Sequence, residues 1–439
     1  MTGLRLWNAR VVDPAAHVVL EQATVAIEDG RITEVVAARG EAPEGAVDVA
    51  GRTVLPGFVD AHTHLLSDVS RSPGFGPPPQ LNGEDPRPRE LGYLLLAKSC
   101  EALLHSGITT IRDVGSFDDE AIVMRRAVEL GLVDGPTILT CGRIISVTAP
   151  GGRIFGSMYA EADGPWSVRQ AVREQLRRGA DYVKLMATGA RSVERENPEP
   201  AQMTREEVAS IVDEAHRLGL RVAAHAEGLD GARIAIEERV DTIEHGFSLH
   251  REPRLLELMA QQGQVLVPTL STFHDLAERF AHEWLPRLVD QANRQLEEAY
   301  LTLAAARDAG VTTAMGYDSG PPGRAHLREL ARMAQGGLDP WAALTAATAG
   351  GAAATGLADR GRLTPGSRAD LVVVEGDPLA DVTLLTKRGT AWLVLKEGQV
   401  VAGRVLDRPT PGRQEDEADD ELDAFVPRIA CCGISSAAT

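Results

Sequence analysis

Residues 181–189 read Asp-Tyr-Val-Lys-Leu-Met-Ala-Thr-Gly and place one lysine, Lys184, inside a short apolar run. Such a run, closed by glycine, is typical of a buried strand. Other residues that can bind metal close further short apolar runs on both sides of this lysine. They are His62 and His64 before it, and His225, His245 and Asp318 after it.

Residues 56–357 alternate strand-like and helix-like patterns. The predicted strands are GFVDAHTHL, TTIRDVG, TILTCGR, YVKLMATG, RVAAHAEG, DTIEHG, VLVPTL and TTAMGYDSG. Segments with helical spacing lie between them, for example TREEVASIVDEAHRLG. Eight strand–helix units predict an α/β fold built around a closed parallel (β/α)8 or TIM barrel. The active site of that fold lies where the strands meet the loops that follow them.

The two ends of the chain have a different pattern. Residues 1–55 and 358–406 contain short alternating segments with Asp-Gly and Glu-Gly turns, which predict β-hairpins. We expect both ends to pair into one small β-sandwich domain beside the barrel. Residues 407–439 include an acidic run at 415–423 with seven acids and no base, and are predicted to form a flexible tail.

The histidines are spaced for metal binding. Side chains two residues apart on a strand point to the same side, so His62 and His64 can reach one ion at the barrel mouth. His225 and His245 close the next two strands after the lysine, and imidazole suits zinc and related metals. Asp318 closes the last strand, where a carboxylate can bind metal and also accept a proton from an attacking water. Six such residues at the strand ends of one barrel predict a site for two divalent ions.

Lys184 is an unusual residue for a buried strand. An ammonium group in the protein interior needs a counter-anion or a lowered pKa. A third interpretation is a carbamate, formed by addition of CO2 to the amine, which would turn the cation into a two-oxygen anion able to bridge two metals. Because five other candidate metal ligands accompany Lys184 at the barrel strands, the carbamate is favoured over a counter-anion or a lowered pKa.

Bulk composition excludes several classes of partner. The chain has 439 residues and a net charge of −18, which argues against nucleic acid and anionic membranes. Its four cysteines form neither a disulfide framework nor a thiolate zinc pattern. No secretory signal and no membrane-spanning run is recognised, so we expect a cytoplasmic enzyme, with a homo-oligomer left open.

The motifs together resemble the amidohydrolase superfamily, in particular the imidazolonepropionase-like branch with Xaa-Pro dipeptidases and related carboxypeptidases. The likeness covers about residues 4–400 and rests on VLPGFVDAHTHL, GITTIRDVG, YVKLMATGA, AAHAEG, TIEHG and GRLTPGSRADLVVVEGDP. The resemblance implies two zinc ions bridged by carboxylated Lys184. It further implies His62 and His64 on one ion, His225 and His245 on the other, and Asp318 as remaining ligand and proton shuttle.

The regions expected to recognise substrate differ from that branch. Relatives often carry Gly-Gly-His-Gly after the third strand and His-Ala-His-Gly after the fifth, whereas this chain has Gly-Gly-Arg ending at Arg153 and His-Ala-Glu-Gly ending at Gly228. Loop arginines can pair with a substrate carboxylate. Candidate substrate-binding residues are Arg153, Arg191 and Arg195, with Arg143, His274 and Tyr317 as further pocket candidates. Residues 67–90, rich in Pro and Gly, are a candidate lid.

These observations predict a binuclear amidohydrolase that cleaves an amide bond in a small peptide or an N-acyl amino acid. Three alternatives stay open at this point. They are a cyclic-amide hydrolase or deaminase on the same site, a pathway-specific enzyme that trims a modified peptide natural product, and a catalytically inactive barrel that only binds.

Overall fold

The computed structural model describes residues 3–66, 89–190, 193, 195–274, 286–318, 323–387 and 389–403. Most of the candidate lid (67–88), Arg191 and the acidic tail 407–439 lie outside the described residues, and residues 89–90 begin a helix. Within the described ranges, none of the helices combines the length and the apolar character needed to cross a membrane.

The eight predicted barrel strands are all present. They are β6 (Phe58–Thr63), β7 (Ile108–Asp113), β8 (Thr137–Thr140), β11 (Val183–Met186), β12 (Val222–Ala226), β13 (Thr242–His245), β14 (Val265–Val267) and β15 (Thr312–Thr313). Two three-residue strands, β9 (Ile144–Ser146) and β10 (Tyr159–Glu161), extend the sheet beyond the predicted set. These ten strands form two sheets, one with β6, β7 and β8 and one with the other seven strands. All strand pairs within the two sheets are parallel.

Backbone hydrogen bonds close the barrel at two places where no ladder is assigned. The N–H of Asp181, just before β11, donates to the carbonyl of Thr140 in β8 at 2.8 Å. The N–H of Ala61 in β6 donates to the carbonyl of Met315 at 2.8 Å. The N–H of Asp318 donates to the carbonyl of His62 at 2.7 Å. The segment after β15 therefore runs beside β6 and completes the predicted (β/α)8 barrel.

Helices surround the barrel. They are α1 (Arg89–His105), α2 (Glu120–Glu129), α3 (Pro150–Phe155), α4 (Pro165–Arg178), α5 (Arg205–Arg217), α6 (Leu229–Glu237), α7 (Pro253–Gln262), α8 (Leu270–His274), α9 (Pro286–Asp308), α10 (Arg328–Gln335), α11 (Pro340–Thr345) and α12 (Gly351–Thr355). Helix α5 shows how local sequence sets these bounds. Thr204 and Glu207 form a reciprocal capping box at its first turn, and Val208, Ile211 and Ala215 bury one face against the sheet.

Strands from both ends of the chain pair with each other, as predicted for the expected β-sandwich, and they form one further sheet. Its strands are β1 (Leu4–Asp13), β2 (Val18–Glu28), β3 (Arg31–Ala37), β4 (Val47–Asp48), β5 (Thr53–Pro56), β16 (Leu371–Val374), β17 (Ala391–Lys396) and β18 (Gln399–Gly403). The two ends meet where β5 pairs antiparallel with β16, and the eight strands are joined by hydrogen bonds into a single sheet.

Side chains of β16 alternate between two cores, as the period of a strand requires. Leu371 and Val373 pack into the core of the terminal sheet. Val372 and Val374 pack on the opposite face, in the core that also contains barrel strand β6 and helix α1. One face of the terminal sheet is thus buried against the barrel, where it packs beside β6 and α1.

Candidate active site

Five of the six predicted site residues lie on or directly after the barrel strands. His62 is within β6 and His64 follows that strand directly. Lys184 is the second residue of β11, so it lies inside its strand rather than at the strand's end. The strand register places His225 beside Met186 and His245 beside Ala226. The sequence pattern placed Asp318 at the end of a strand, but β15 stops at Thr313 and Asp318 lies in the irregular segment beyond it.

The Asp318 carboxylate lies at the centre of the histidine group. Its Oδ1 is 3.2 Å from His62 Nε2 and 3.4 Å from His64 Nε2, and its Oδ2 is 4.0 Å from His245 Nδ1. The His225 ring lies 4.6 Å from the His245 ring, centroid to centroid. The structure therefore brings all four histidines and the aspartate to one place. Burial raises the pKa of Asp318, but charge and hydrogen bonds from His62 and His64 outweigh it and hold that pKa well below its ordinary value.

Hydrogen bonds orient the first two imidazoles. The Nδ1 of His62 lies 2.7 Å from a carboxylate oxygen of Glu244, and the Nδ1 of His64 lies 2.7 Å from the carbonyl of Gly115. Since both partners are acceptors, Nδ1 carries the proton in each neutral ring. In that neutral form the lone pair resides on Nε2, the atom that faces Asp318 in both residues, whereas the hydrogen bonds to Asp318 belong to the form in which Nε2 carries a proton. The neutral form is the usual arrangement of a histidine prepared to bind a metal.

His225 is oriented the other way around. Its Nε2 lies 3.2 Å from the carbonyl of Gly189, so in the neutral ring Nε2–H donates and the lone pair lies on Nδ1. His245 contacts the hydroxyl of Thr269 through Nδ1 at 2.7 Å, and a hydroxyl can either donate or accept. Burial, followed by the neighbouring His225, lowers the pKa of His245 well below its ordinary value and favours the neutral ring that binds metals.

The backbone at this site is strained. His245, Thr269 and Asp318 have φ of 71°, 49° and 54°, in the left-handed region that residues other than glycine seldom adopt. Two hydrogen bonds hold Asp318 in this conformation. Its N–H donates to the backbone carbonyl of His62, and its own carbonyl accepts from the Thr272 hydroxyl at 2.6 Å. Strain that is maintained by surrounding contacts is a common property of functional sites.

Two further charged residues belong to this site but were not identified in the sequence. Arg112 in β7 donates to Glu244 at 2.7 Å, to the Ala61 carbonyl at 2.6 Å and to the Thr242 hydroxyl at 3.0 Å, entirely within the barrel. Burial works against the charge of Glu244, yet Arg112 and Lys184 hold its pKa below the ordinary value. The signal was present in TTIRDVG and TIEHG, since Arg112 and Glu244 are charged residues within short apolar runs, where their side chains have to be buried.

Lys184 is 2% exposed. Burial lowers the pKa of its amine, with Glu244 and Asp318 acting in the opposite direction. No carboxylate of the described part of the chain lies within ion-pair distance of its Nζ. The expectation of a buried lysine on a barrel strand is met.

The predicted substrate residues are more dispersed. Arg153 lies on α3 and Arg195 on the loop after β11, and both are exposed. Arg143 forms an ion pair with Asp118, in which a guanidinium nitrogen lies 3.5 Å from the carboxylate Oδ1. His274 is buried and its Nε2 lies 2.6 Å from the Tyr300 hydroxyl of α9. Tyr317 is buried with its ring stacked on His326, and its N–H donates to Asp60 at 3.4 Å.

The donor set fits a metal ion. One ligand atom from each of His62, His64 and Asp318 lies within 4.8 Å of the others, which is compact enough for one ion. Imidazole nitrogen and carboxylate oxygen are ordinary zinc ligands. His225 and His245 lie next to this group with their rings in edge contact.

A parallel barrel with imidazoles and a carboxylate at its carboxyl mouth defines a class of hydrolytic enzymes. The chain belongs to the amidohydrolase family, whose model matches residues 53–401. The family resemblance of the motifs is thereby confirmed. The chain is a hydrolase that acts on carbon–nitrogen bonds.

Relatives of known activity share most of the chain. It is 30% identical to the ochratoxinase of Aspergillus niger over 378 residues, which cover 80% of this chain and 76% of that one. It is 29% identical to the imidazolonepropionase of Paracoccus denitrificans over 81% and 88% of the two chains. The structure of a Xaa-Pro dipeptidase with bound methionine in its active site superposes with a TM-score of 0.79 at 26% identity. The match covers 91% of this chain and 99% of the dipeptidase chain.

Proposed function

We propose that this amidohydrolase carries two divalent metal ions, zinc being the first choice, and cleaves an amide bond in a small peptide or an N-acyl amino acid. The observation that supports this is the convergence of four imidazoles and Asp318 at the carboxyl mouth of the barrel. The buried Lys184 lies within the neighbouring strand β11, close enough for Asp318 to act on the pKa of its amine. The His62–His64 pair and Asp318 would hold one ion, and His225 and His245 the other. Such ions polarise a scissile carbonyl and lower the pKa of a bound water.

Lys184 would connect the two ions as a carbamate. The amine nitrogen adds to the carbon of CO2 and loses one proton, which leaves an N-carboxylate with two oxygens. The reaction requires the uncharged amine, and burial already lowers the pKa of Lys184 in this direction. The product would place an anion near Arg112, whose charge contributes to lowering the Lys184 pKa.

Asp318 would transfer the proton. Its carboxylate can accept a proton from the attacking water and pass it to the leaving nitrogen, which is general base followed by general acid catalysis. Contacts with His62 and His64 from one side, and the backbone bond to β6 from another, fix the position of this carboxylate. A fixed carboxylate reduces the entropic cost of aligning the proton transfer.

The arginines of the mouth would anchor a substrate carboxylate. Arg153 and Arg195 are exposed, and they follow β9 and β11 on the side of the barrel where the histidines lie. A guanidinium binds a carboxylate through two parallel hydrogen bonds, as the free end of a peptide or N-acyl amino acid would require. Three relatives named for different substrates share this architecture, so the loops rather than the barrel would select the substrate.

A substrate panel tests this function. Zinc-loaded enzyme would be offered dipeptides including Xaa-Pro, N-acyl amino acids, ochratoxin and imidazolonepropionate, each carboxylate substrate also in a form with its carboxylate capped as an amide. We expect turnover of a free-carboxylate amide and at least about tenfold loss on capping, equivalent to about 1.4 kcal/mol. Turnover restricted to cyclic amides or amines would favour the cyclic-amide or deaminase alternative. Stoichiometric metal without turnover of any compound would favour the inactive binding protein.

Arg153→Gln adds a matched test of the anchor. Arg177→Gln is the control, because Arg177 is also exposed but lies at the carboxyl end of α4, which runs antiparallel to the strands and ends at the opposite face of the barrel. We expect a raised KM in the Arg153 variant only. Equal KM values in both variants would remove Arg153 from the proposed anchor.

A further inference from the structure

Glu196 connects two loops at the mouth of the barrel. Its Oε1 accepts the N–H of Gly151 at 2.7 Å, at the start of α3. Its Oε2 accepts the N–H of Ala190 at 2.8 Å, in the loop that follows β11. One carboxylate thus joins the loop after β9 to the loop after β11, with one oxygen for each.

The space around Glu196 is adapted to this contact. A Cβ at Gly151 would lie 2.9 Å from Glu196 Oε1, and one at Gly189 would lie 3.0 Å from both the Cβ and Oε2 of Glu196. Both positions are glycines, so both backbones can approach the carboxylate closely. Gln202 adds a longer side-chain contact to Oε1 at 3.3 Å.

The Ala190 N–H belongs to the same peptide group as the Gly189 carbonyl. That carbonyl is the acceptor for Nε2 of His225, at 3.2 Å. The rigid, planar Gly189–Ala190 peptide is therefore held by Glu196 on its N–H side and contacts the imidazole on its C=O side. The same Nε2 also lies 3.5 Å from Glu227 Oε1. A turn of this peptide would remove the shorter of these two contacts and leave the ring to the more distant carboxylate.

We infer that Glu196 is a positioning residue for His225, acting through the Gly189–Ala190 peptide, and that it ties the alignment of this histidine to the position of the Gly151 loop. The inference rests on the proposed function, in which Nδ1 of His225 binds the second metal. It assigns Glu196 no contact with substrate. Partners of metal-binding histidines typically change metal affinity by about 10- to 100-fold when they are mutated.

Glu196→Gln is the direct test. The amide keeps the size of the side chain but offers one acceptor oxygen, so it can satisfy only one of the two N–H groups and places an NH2 against the other. Glu199→Gln is the matched control, because Glu199 is in the same loop, its side chain is half exposed, and among the described residues that side chain forms an ion pair with Arg251 at 3.9 Å. Glu196→Asp retains the charge, yet its shorter side chain cannot span both loops.

The readouts do not depend on turnover. Zinc affinity of each metal-free variant would be measured by titration, with the visible spectrum of the cobalt-loaded protein as a signature of ligand geometry. Melting of the metal-free proteins would report a general loss of structure. We expect at least about tenfold weaker binding of one zinc and an altered cobalt spectrum in both Glu196 variants, with Glu199→Gln unchanged and the metal-free melting temperatures similar.

His225→Ala separates this inference from the function on which it rests. If His225→Ala loses one zinc while both Glu196 variants bind zinc and cobalt like the parent, the positioning role of Glu196 is wrong and the proposed site stands. If His225→Ala itself keeps both ions, the ligand assignment fails, and the role of Glu196 fails with it. Weakened zinc binding in Glu199→Gln equal to that in Glu196→Gln would also overturn the inference, because loop charge alone would then explain the effect.

Discussion

Asp318 combines three properties that seldom occur in one carboxylate. It is buried, it adopts a left-handed backbone conformation, and it faces the Nε2 atoms of His62 and His64. Its backbone is bonded to β6 on one side and to Thr272 on the other. A side chain so constrained can serve both as a ligand and as a proton acceptor, and the two roles can be separated by substitution.

Asp318→Asn should keep most of the metal but lose at least about 100-fold in turnover. Most candidate ligands remain, whereas an amide cannot accept the proton of the attacking water. Metal content by elemental analysis and kcat on the best substrate would be measured on the same preparation. A variant that turns over within a few-fold of the parent would assign the proton transfer to another group, and Glu227 and His274 would be examined next.

Lys184→Ala should lose metal and activity together, because the bridging carbamate disappears with the amine. Short carboxylic acids such as acetate or propionate should restore part of both by supplying the missing anion in the space left by the side chain. Full activity in Lys184→Ala without added acid would remove the bridge from the mechanism.

The residues of the site could be predicted from sequence to different degrees. His62, His64, His225, His245 and Asp318 were recognisable because polar residues close apolar runs. Arg112 and Glu244 stand out in the sequence as charged residues in apolar runs, but their pairing could not be predicted, since only the closed barrel brings β7 and β13 into contact through its interior. The link from Glu196 to His225 passes through a peptide group and leaves no pattern in the sequence.

Among the elements, the short helix α8 connects the site to the outer layer. Its first residues, Leu270 and Ser271, donate backbone N–H groups to Glu329 of α10 at 2.8 and 2.7 Å. Thr269, directly before α8, contacts His245. Glu329 thus fixes the start of α8, next to Thr269, which in turn contacts the proposed metal ligand His245.

Glu329 should make stability depend on pH. Burial raises the pKa of its carboxyl from 4.5 to about 7, against the hydrogen bonds from Ser271 and Leu270. Because the folded pKa lies above the unfolded one, this group contributes stability that is fully present below about pH 4.5 and is lost as pH rises through about 7. Glu329→Gln carries no charge, so the parent should lose up to about 3 kcal/mol relative to the variant between pH 5 and pH 8.

Melting of the metal-free proteins across this pH range would measure the effect, since metal binding itself depends on pH. Glu206→Gln, an exposed change of the same charge, is the control. A difference between parent and Glu329→Gln that stays constant from pH 5 to pH 8 would contradict the expected titration.

The elements themselves were largely predictable from sequence. The eight barrel strands follow the predicted order, and helix α5 lies in the segment that has helical spacing. Strands β9 and β10 were not predicted. The similarly short β14 and β15 were recognised because each lies within a longer apolar run. The strand predicted up to Asp318 ends early, and Gly316 indicates why. A Cβ there would lie 2.6 Å from the Cβ of His62, so the backbone approaches β6 more closely than a regular strand would.

At the scale of the whole molecule, the two ends of the chain complete one sheet. The pairing of β5 with β16 joins residues that are far apart in sequence, and this sheet packs on the barrel through Val372 and Val374. The last strand, β18, ends at Gly403. Residues 407–439 follow this strand in the sequence and lie outside the described residues, so the prediction that they form a flexible tail calls for a direct test.

Deleting residues 407–439 should leave the melting temperature and the metal content nearly unchanged. The truncated chain retains all strands of both the barrel and the terminal sheet. Both quantities would be compared with those of the full chain prepared in parallel. A large decrease in either would show that the tail packs on the body or on a neighbouring subunit.

In the proposed site, the four imidazoles, Lys184 and Asp318 would hold a pair of metal ions. Elemental analysis of protein purified from zinc-supplemented cells, with protein concentration from amino-acid analysis, measures how many ions are bound. We expect about two divalent ions per chain, as in other two-metal hydrolytic sites. A preparation that never exceeds trace metal, or that saturates at one ion per chain, would contradict the binuclear site.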